Sequence, residues 1–292
     1  MDDFSLTTPV AFFIFNRPDT TTRVFEQIRQ AKPAKLLVVA DGPRVGQPAD
    51  GAKCAATRAI IDQVDWDCEV LTNYADVNLG CKIRMATGLD WVFSTVDEAI
   101  ILEHDTLPHP SFFRYCQELL EHYRDDKRIM TISGCNFQFG RRRTGYSYYF
   151  SRCVHCWGWA TWRRAWQYYD VGMVLWPEVA GGGWLASVLS DRAAAAYWYR
   201  IFELTYRGYV NTWDYQWVFT CWSQNSLTII PNVNLVANIG FGAEGIHTTN
   251  CCSRVANLPT EPMNFPLRHP PFMLRDTVAD DFTQQLYNTG EM

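Results

Sequence analysis

No stretch of this sequence stays apolar long enough to cross a bilayer as a helix. The longest early apolar run, Val10 to Phe15, falls far short of the roughly 20 residues a span needs. The opening residues, Met1-Asp2-Asp3-Phe4, lack the basic region of a secretory signal. These absences lead us to expect a cytoplasmic protein with no stable membrane insertion. Positive charge is not in excess either. Lys and Arg number 26 against 31 Asp and Glu, a formal net charge of -5. That argues against nucleic-acid binding through bulk positive charge and leaves a local basic patch open. Cys153-Val154-His155-Cys156 has half the spacing of a zinc site, but no second such pair follows, only Cys251-Cys252. Trp157 stands where haem attachment would need His. In a reducing compartment the ten cysteines then read as small buried thiols. Internal repeats and low-complexity tracts are missing, and the one cluster of small residues is Gly181-Gly182-Gly183.

What is present suits a large core. The 292 residues are 48% hydrophobic, 20% charged and 15% aromatic, with 12 Trp. Disorder is excluded, and the rings suit either a core or a cleft that stacks on sugars. Residues 1–136 alternate short apolar runs with helical periods. Strands are expected at Pro9 to Phe15, Lys35 to Ala40, Cys68 to Leu71, Ala99 to Leu102 and Arg128 to Ile132. Helices are expected at Pro18 to Gln30, Gly80 to Phe93 and Pro110 to Tyr123. This rhythm predicts an α/β fold, a mostly parallel sheet covered on both faces, with ligands at the carboxyl ends of the strands. Residues 137–248 read differently. Strands are expected at Tyr146 to Phe150, Leu227 to Ile230 and Asn234 to Ala237, and helices at Trp159 to Tyr169, Arg192 to Tyr206 and Trp213 to Ser223. In that reading Trp159, Trp162 and Trp166 share one helical face. The proline-rich residues 249–292 are expected to form a tail or lid without regular structure. With no linker visible, all three segments are expected to form one unit.

The polar residues just after strands are the ones to inspect. Glu103-His104-Asp105 follows the apolar Ala99-Ile100-Ile101-Leu102 directly. Two carboxylates where a buried strand emerges make a hard oxygen site, suited to Mg²⁺ or Mn²⁺ with phosphate and water completing the shell. The competing reading is a solvated turn ahead of the helix at Pro110. Arg17, Lys82 and Arg84 can add positive charge beside a phosphate. Gly240-Phe241-Gly242-Ala243-Glu244-Gly245-Ile246-His247 has enough glycine to turn tightly or approach a ligand closely. Asp214, in Asn211-Thr212-Trp213-Asp214-Tyr215-Gln216-Trp217, starts an expected helix among rings, and a helix-start acid favoured by the dipole is its other reading. Arg141-Arg142-Arg143 reads as a solvated hairpin tip.

Ile100 to Asp105 followed by Pro110-Ser111-Phe112-Phe113 resembles the D-x-D segment of GT-A glycosyltransferases. It is especially similar to N-acetylglucosaminyltransferase I and its bacterial relatives. Val10 to Pro18 resembles their first strand and nucleotide loop, and Asn78-Leu79-Gly80-Cys81-Lys82 their N-x-G-x-[KR] segment. The likeness covers about residues 8–136, with weaker echoes to 248, and His104 replaces the family's middle acid. It implies a GT-A (Rossmann-like) three-layer sandwich and a metal-dependent transferase that moves a hexosyl or N-acetylhexosaminyl group. The donor would be a nucleotide-sugar, uridine-linked, and the acceptor a hydroxyl on a glycan, lipid, protein or nucleic acid. Phe15, Asn16, Arg17, Asp41, Asn78, Lys82, Arg84, Glu103 and His104 would contact the donor, with Asp41 against the uridine. Asp105 and a late His, His247, would hold the metal. Asp214 would be the base of an inverting displacement, with Asp170 and Glu178 as weaker candidates. A sugar-phosphate nucleotidyltransferase and a non-catalytic sugar-binding protein are the alternatives. The first would want a Gly-rich, basic loop where Phe15-Asn16-Arg17-Pro18 stands.

Overall fold

The structure is a computed structural model, and it describes residues 4–189, 191–242 and 253–291. Its strands are β1 Val10–Ile14, β2 Lys35–Ala40, β3 Glu69–Tyr74, β4 Glu98–Glu103, β5 Thr106–Pro108, β6 Ile129–Ser133, β7 Tyr148–Ser151, β8 Trp159–Trp162, β9 Leu227–Pro231 and β10 Val236–Asn238. Its helices are α1 Pro18–Ala31, α2 Pro48–Ala59, α3 Gly80–Thr95, α4 Ser111–His122, α5 Arg163–Trp166, α6 Trp176–Gly181, α7 Leu185–Val188, α8 Arg192–Tyr206, α9 Asp214–Ser223 and α10 Thr277–Asn288. No helix among the described residues is long and apolar enough to cross a membrane.

One eight-stranded sheet runs in the order β3-β2-β1-β4-β8-β6-β9-β7. Pairing is parallel from β3 through β4, and only β8 and β7 run against the rest. Alternation along the buried strands sorts side chains onto two faces. Val10, Phe12 and Ile14 join Val24, Phe25 and Ile28 of α1 and Phe112 and Leu119 of α4. Ala11 and Phe13 join Met85, Leu89 and Val92 of α3, with Trp198 and Phe202 of α8 and Trp217 of α9. The result is the α/β architecture expected from the sequence, a mostly parallel sheet between two helical layers.

Two expectations are corrected. Trp159 to Tyr169 is not one helix: residues 159–162 form β8, wedged between β4 and β6, and only α5 is helical. Trp159 and Trp162 therefore point to opposite faces, one into each core. The spacing of three mimics a helical stripe, but in a strand an odd spacing separates side chains. The tail also holds regular structure, the helix α10. Asp276 caps it by accepting from Ala279 N at 2.9 Å, and Asp276 N donates to Phe150 O of β7 at 2.8 Å. Helices α2, α6 and α7 and strand β5 were not foreseen. Cys153 and Cys156 are buried free thiols, as expected, and all eight described cysteines are unpaired. Arg142 pairs with Glu261 at 2.6 Å, so this basic loop is tied to the tail rather than fully solvated.

Candidate active site

At the carboxyl ends of β1, β2 and β4 lies a cleft of about 620 Å³, a size suited to a small organic ligand. Ten of the expected site residues line it together: Phe15, Asn16, Arg17, Asp41, Asn78, Arg84, Glu103, His104, Asp105 and Asp214. Lys82 does not line it, because it follows Gly80 and Cys81 around the first turn of α3, and these two line the cleft instead. His247 lies outside the described residues. Asp170 turns away to receive Gly172 N at 2.8 Å and Val174 N at 2.6 Å, closing a local loop. Glu178 sits on the exposed side of α6. Trp157 and Trp213 supply rings to the cleft wall, and Trp213 is stacked on Trp159 at 5.6 Å.

The acidic triplet is held as a rigid turn. Thr106 Oγ1 accepts from Glu103 N at 2.9 Å and donates to Glu103 O at 3.0 Å. His104 N donates to Phe13 O at 2.9 Å, continuing the β1–β4 ladder past the strand end. β5 then pairs with β10 in a small second sheet, and Ile239 N donates to Asp105 O at 2.8 Å. Just beyond, Gly240 presses against the Asp105 side chain so closely that a Cβ there would stand 2.0 Å from Oδ2. Only glycine permits that approach. Arg17 completes the clamp: Nη1 donates to Asp105 Oδ2 and Nη2 to Gly240 O, both at 3.2 Å.

Three carboxylates share this part of the cleft. Burial, and then the charges of Asp105 and Asp214, push Glu103 well above the usual carboxylate range. Its charged form is thus disfavoured where the three carboxylates meet. Burial lowers His104, so its imidazole is neutral. Asp214 opens α9. Its Oδ1 accepts from Thr212 Oγ1 and from Tyr215 N, the latter at 2.9 Å. Its Oδ2 has no partner among the described residues.

Does this donor set suit a divalent cation? The oxygens of Asp105 are hard ligands of the right kind, and a cation would offset the crowding of negative charge. Among the described residues, no group of three or more His, Cys, Asp or Glu is placed to hold one. Asp105 supplies the hard carboxylate at this point of the cleft, with one oxygen already shared with Arg17.

Asp41 lines the cleft with its carboxylate already engaged. Its Oδ1 accepts from Gly42 N at 2.8 Å and Leu79 N at 2.9 Å. Its Oδ2 accepts from Asn78 Nδ2 at 2.9 Å and Gly80 N at 3.1 Å. Four donors fill the four lone-pair directions of a carboxylate. Asp41 thus caps the N-terminus of α3, where Gly80 at φ +78 turns the chain into the helix. Arg84 is buried, bonded to Asn73 Oδ1 at 2.9 Å and also to the Asn73 carbonyl, while its Nε has no partner among the described residues.

Sequence reasoning missed Arg44, Lys53 and Asp50. The first two line the cleft. Asp50, on α2, is 3% exposed and joins Arg44 to Asn16. Its signal in the sequence is slight: an acid in the first turn after Pro48, in a helix whose buried positions are Asp50, Cys54 and Thr57.

No protein-family model and no curated protein sequence matches the chain. Among solved structures, a likeness is found to the mannosyltransferase PcManGT from Pyrobaculum calidifontis in complex with GDP-Man and Mn²⁺. Identity is 15% over 56% of this chain and 47% of that one, with a TM-score of 0.40. A second is residues 1–349 of TarS from S. aureus, at 7% identity over 56% of this chain and 50% of that one, again with a TM-score of 0.40. The matches thus span about half the length of either structure.

Proposed function

We propose that this chain is a metal-dependent glycosyltransferase. It would transfer a sugar from a nucleotide donor, uridine-linked, to an acceptor hydroxyl with inversion. The observation that carries the reading is the meeting of Asp105, Glu103 and Asp214 with Arg17, Arg44 and Asn16 in one cleft at the strand ends. The physical roles follow from charge. Asp105 would hold Mn²⁺ or Mg²⁺, which when bound supplies Lewis-acid charge at the donor diphosphate. Arg17 adds fixed positive charge for the same phosphates, whereas the Arg44 guanidinium is tied to Asp50. Asp214 Oδ2 takes the proton of the acceptor hydroxyl while that oxygen bonds to the sugar's anomeric carbon and the bond to the departing phosphate oxygen breaks. Thr212 and Tyr215 N fix the other oxygen of Asp214, which orients the base. Trp157 and Trp213 offer ring surface for the sugar.

Calorimetry with uridine diphosphate, with and without Mn²⁺, followed by product analysis with the matching donor, tests the reading. Binding that strengthens with Mn²⁺ and an inverted product support it. A protein that ignores nucleotides in both conditions is not this enzyme.

A further inference from the structure

The amide of Asn16 has a fixed polarity. Its Nδ2 donates to Asp50 Oδ1 at 2.8 Å. Arg44 donates to the same carboxylate through Nε at 2.6 Å, Nη2 at 3.0 Å and its backbone N at 3.2 Å. These bonds hold Asp50 well below the usual carboxylate range, so it is ionised and can only accept. Facing a pure acceptor, the Asn16 amide must present its NH₂ there and turn its carbonyl the other way. Asn16 lines the cleft, and its Oδ1 has no partner among the described residues. The side chain is therefore a built acceptor, aimed by a carboxylate that does not itself line the cleft. The same device recurs at Asn78, whose Nδ2 is tied to Asp41 Oδ2 at 2.9 Å and Gly42 O at 3.0 Å. Beside Asn16, the Arg44 guanidinium stands 5.5 Å over the Phe15 ring. Ring, cation and carbonyl acceptor together form a wall suited to a flat heterocycle with a donor on its edge.

We propose that Asn16 Oδ1, set by Asp50, selects nucleobases that carry an imide N–H, uracil or guanine, over cytosine and adenine. Uracil N3 and guanine N1 bear hydrogen and donate to a carbonyl. Cytosine N3 and adenine N1 bear a lone pair and would meet the Asn16 carbonyl without a bond, leaving both acceptors unsatisfied. Asp50 is the positioning residue and Asn16 the reading residue. The inference rests on the nucleotide-binding role proposed above.

The test is a four-nucleotide calorimetric panel with Mn²⁺: uridine, cytidine, guanosine and adenosine diphosphates. The parent protein is expected to prefer uridine over cytidine diphosphate, and guanosine over adenosine diphosphate, by about ten- to a hundredfold. In Asp50→Asn the new amide can accept or donate, Asn16 is free to flip, and both preferences should shrink to within about threefold. Inorganic pyrophosphate with Mn²⁺ should bind this variant as it binds the parent, which a general loss of structure would not allow. Where Asp50→Asn folds poorly by circular dichroism, Asn16→Ala leaves the Asp50–Arg44 pair in place and should lose the same preferences. Nucleotide binding without base preference in the parent overturns this inference alone, as does full preference in both variants. A folded parent that binds none of the four overturns the nucleotide reading and this inference with it.

Discussion

Arg17 and Asp105 form an ion pair at 3.2 Å, with side chains only 15% and 16% exposed. It links the loop after β1 to the turn after β4. Arg17 reaches the carbonyl of Gly240 as well, so one guanidinium gathers three segments distant in sequence. Asp105→Ala removes the carboxylate and releases Arg17. Metal-dependent affinity for uridine diphosphate is expected to vanish, with circular dichroism unchanged, because Asp105 stands at a strand end outside both cores. Unaltered affinity in the presence of Mn²⁺ would remove Asp105 from the metal site.

Asp214→Asn keeps the size of the side chain but cannot take a proton at neutral pH. Transfer should slow by about a hundred- to ten-thousandfold, the range for losing a positioned base. Uridine diphosphate affinity should stay at the parent value. Steady-state rates alongside calorimetry separate the two effects, and a rate within a few-fold of the parent would place the base elsewhere.

Asp41→Ala should act on stability and on binding together. It strips the cap from α3 and leaves the Leu79 and Gly80 N–H groups without their acceptor. The expected cost is about 2 kcal/mol, read as a Tm about 3–4 °C lower. Nucleotide affinity should fall too, because Asn78 and Gly80 lose their anchor. Thermal melts that match the parent would show that water replaces the carboxylate.

His155 carries a pH dependence. Burial pushes its pKa down to about 3, so the folded protein keeps it neutral. The unfolded chain protonates it near the ordinary value of roughly 6.5. As pH falls below that value the unfolded state binds the extra proton, and folding weakens by up to about 1.4 kcal/mol per pH unit until pH nears 3. Asp50, whose folded pKa is lowered, loses stability in the same direction on acidification, so the comparison must be between proteins. The melting temperature of His155→Leu should decline less between pH 6.5 and pH 4 than that of the parent. Parallel curves would mean the imidazole accepts a proton inside the fold.

The parallel strands were legible because each is a short apolar run bounded by turn residues, as in Lys35 to Ala40 before Asp41-Gly42-Pro43. Helix α2 was not. Its inward positions are Asp50, Cys54 and Thr57, which obey the helical spacing but carry no apolar stripe to reveal it. Helix α10 was hidden behind the prolines, although Asp276 followed by Ala279, Thr283 and Leu286 repeats a cap and a buried face. The acidic triplet, Asn16, Arg17 and Asp214 could be picked out by type and by position after strands or at a helix start. Asp50 could not, because its meaning comes from two partners that only the folded chain brings near. The filling of Asp41 by four donors was equally invisible, since three of them are backbone groups.

Strand β8 lies between β4 and β6, although both of these precede it in the chain. During synthesis, β4 and β6 therefore wait with unpaired edges until residue 162 has emerged, and the middle of the sheet closes only then. Residues 1–136 and 137–248 are interleaved in one sheet, not appended. A fragment ending at residue 136 would expose the long apolar edge of β4, a surface that seeks another strand. Such a piece would aggregate before it could bind anything. Gene fusions, split-protein reporters and truncations should therefore avoid the boundary that the sequence rhythm suggests.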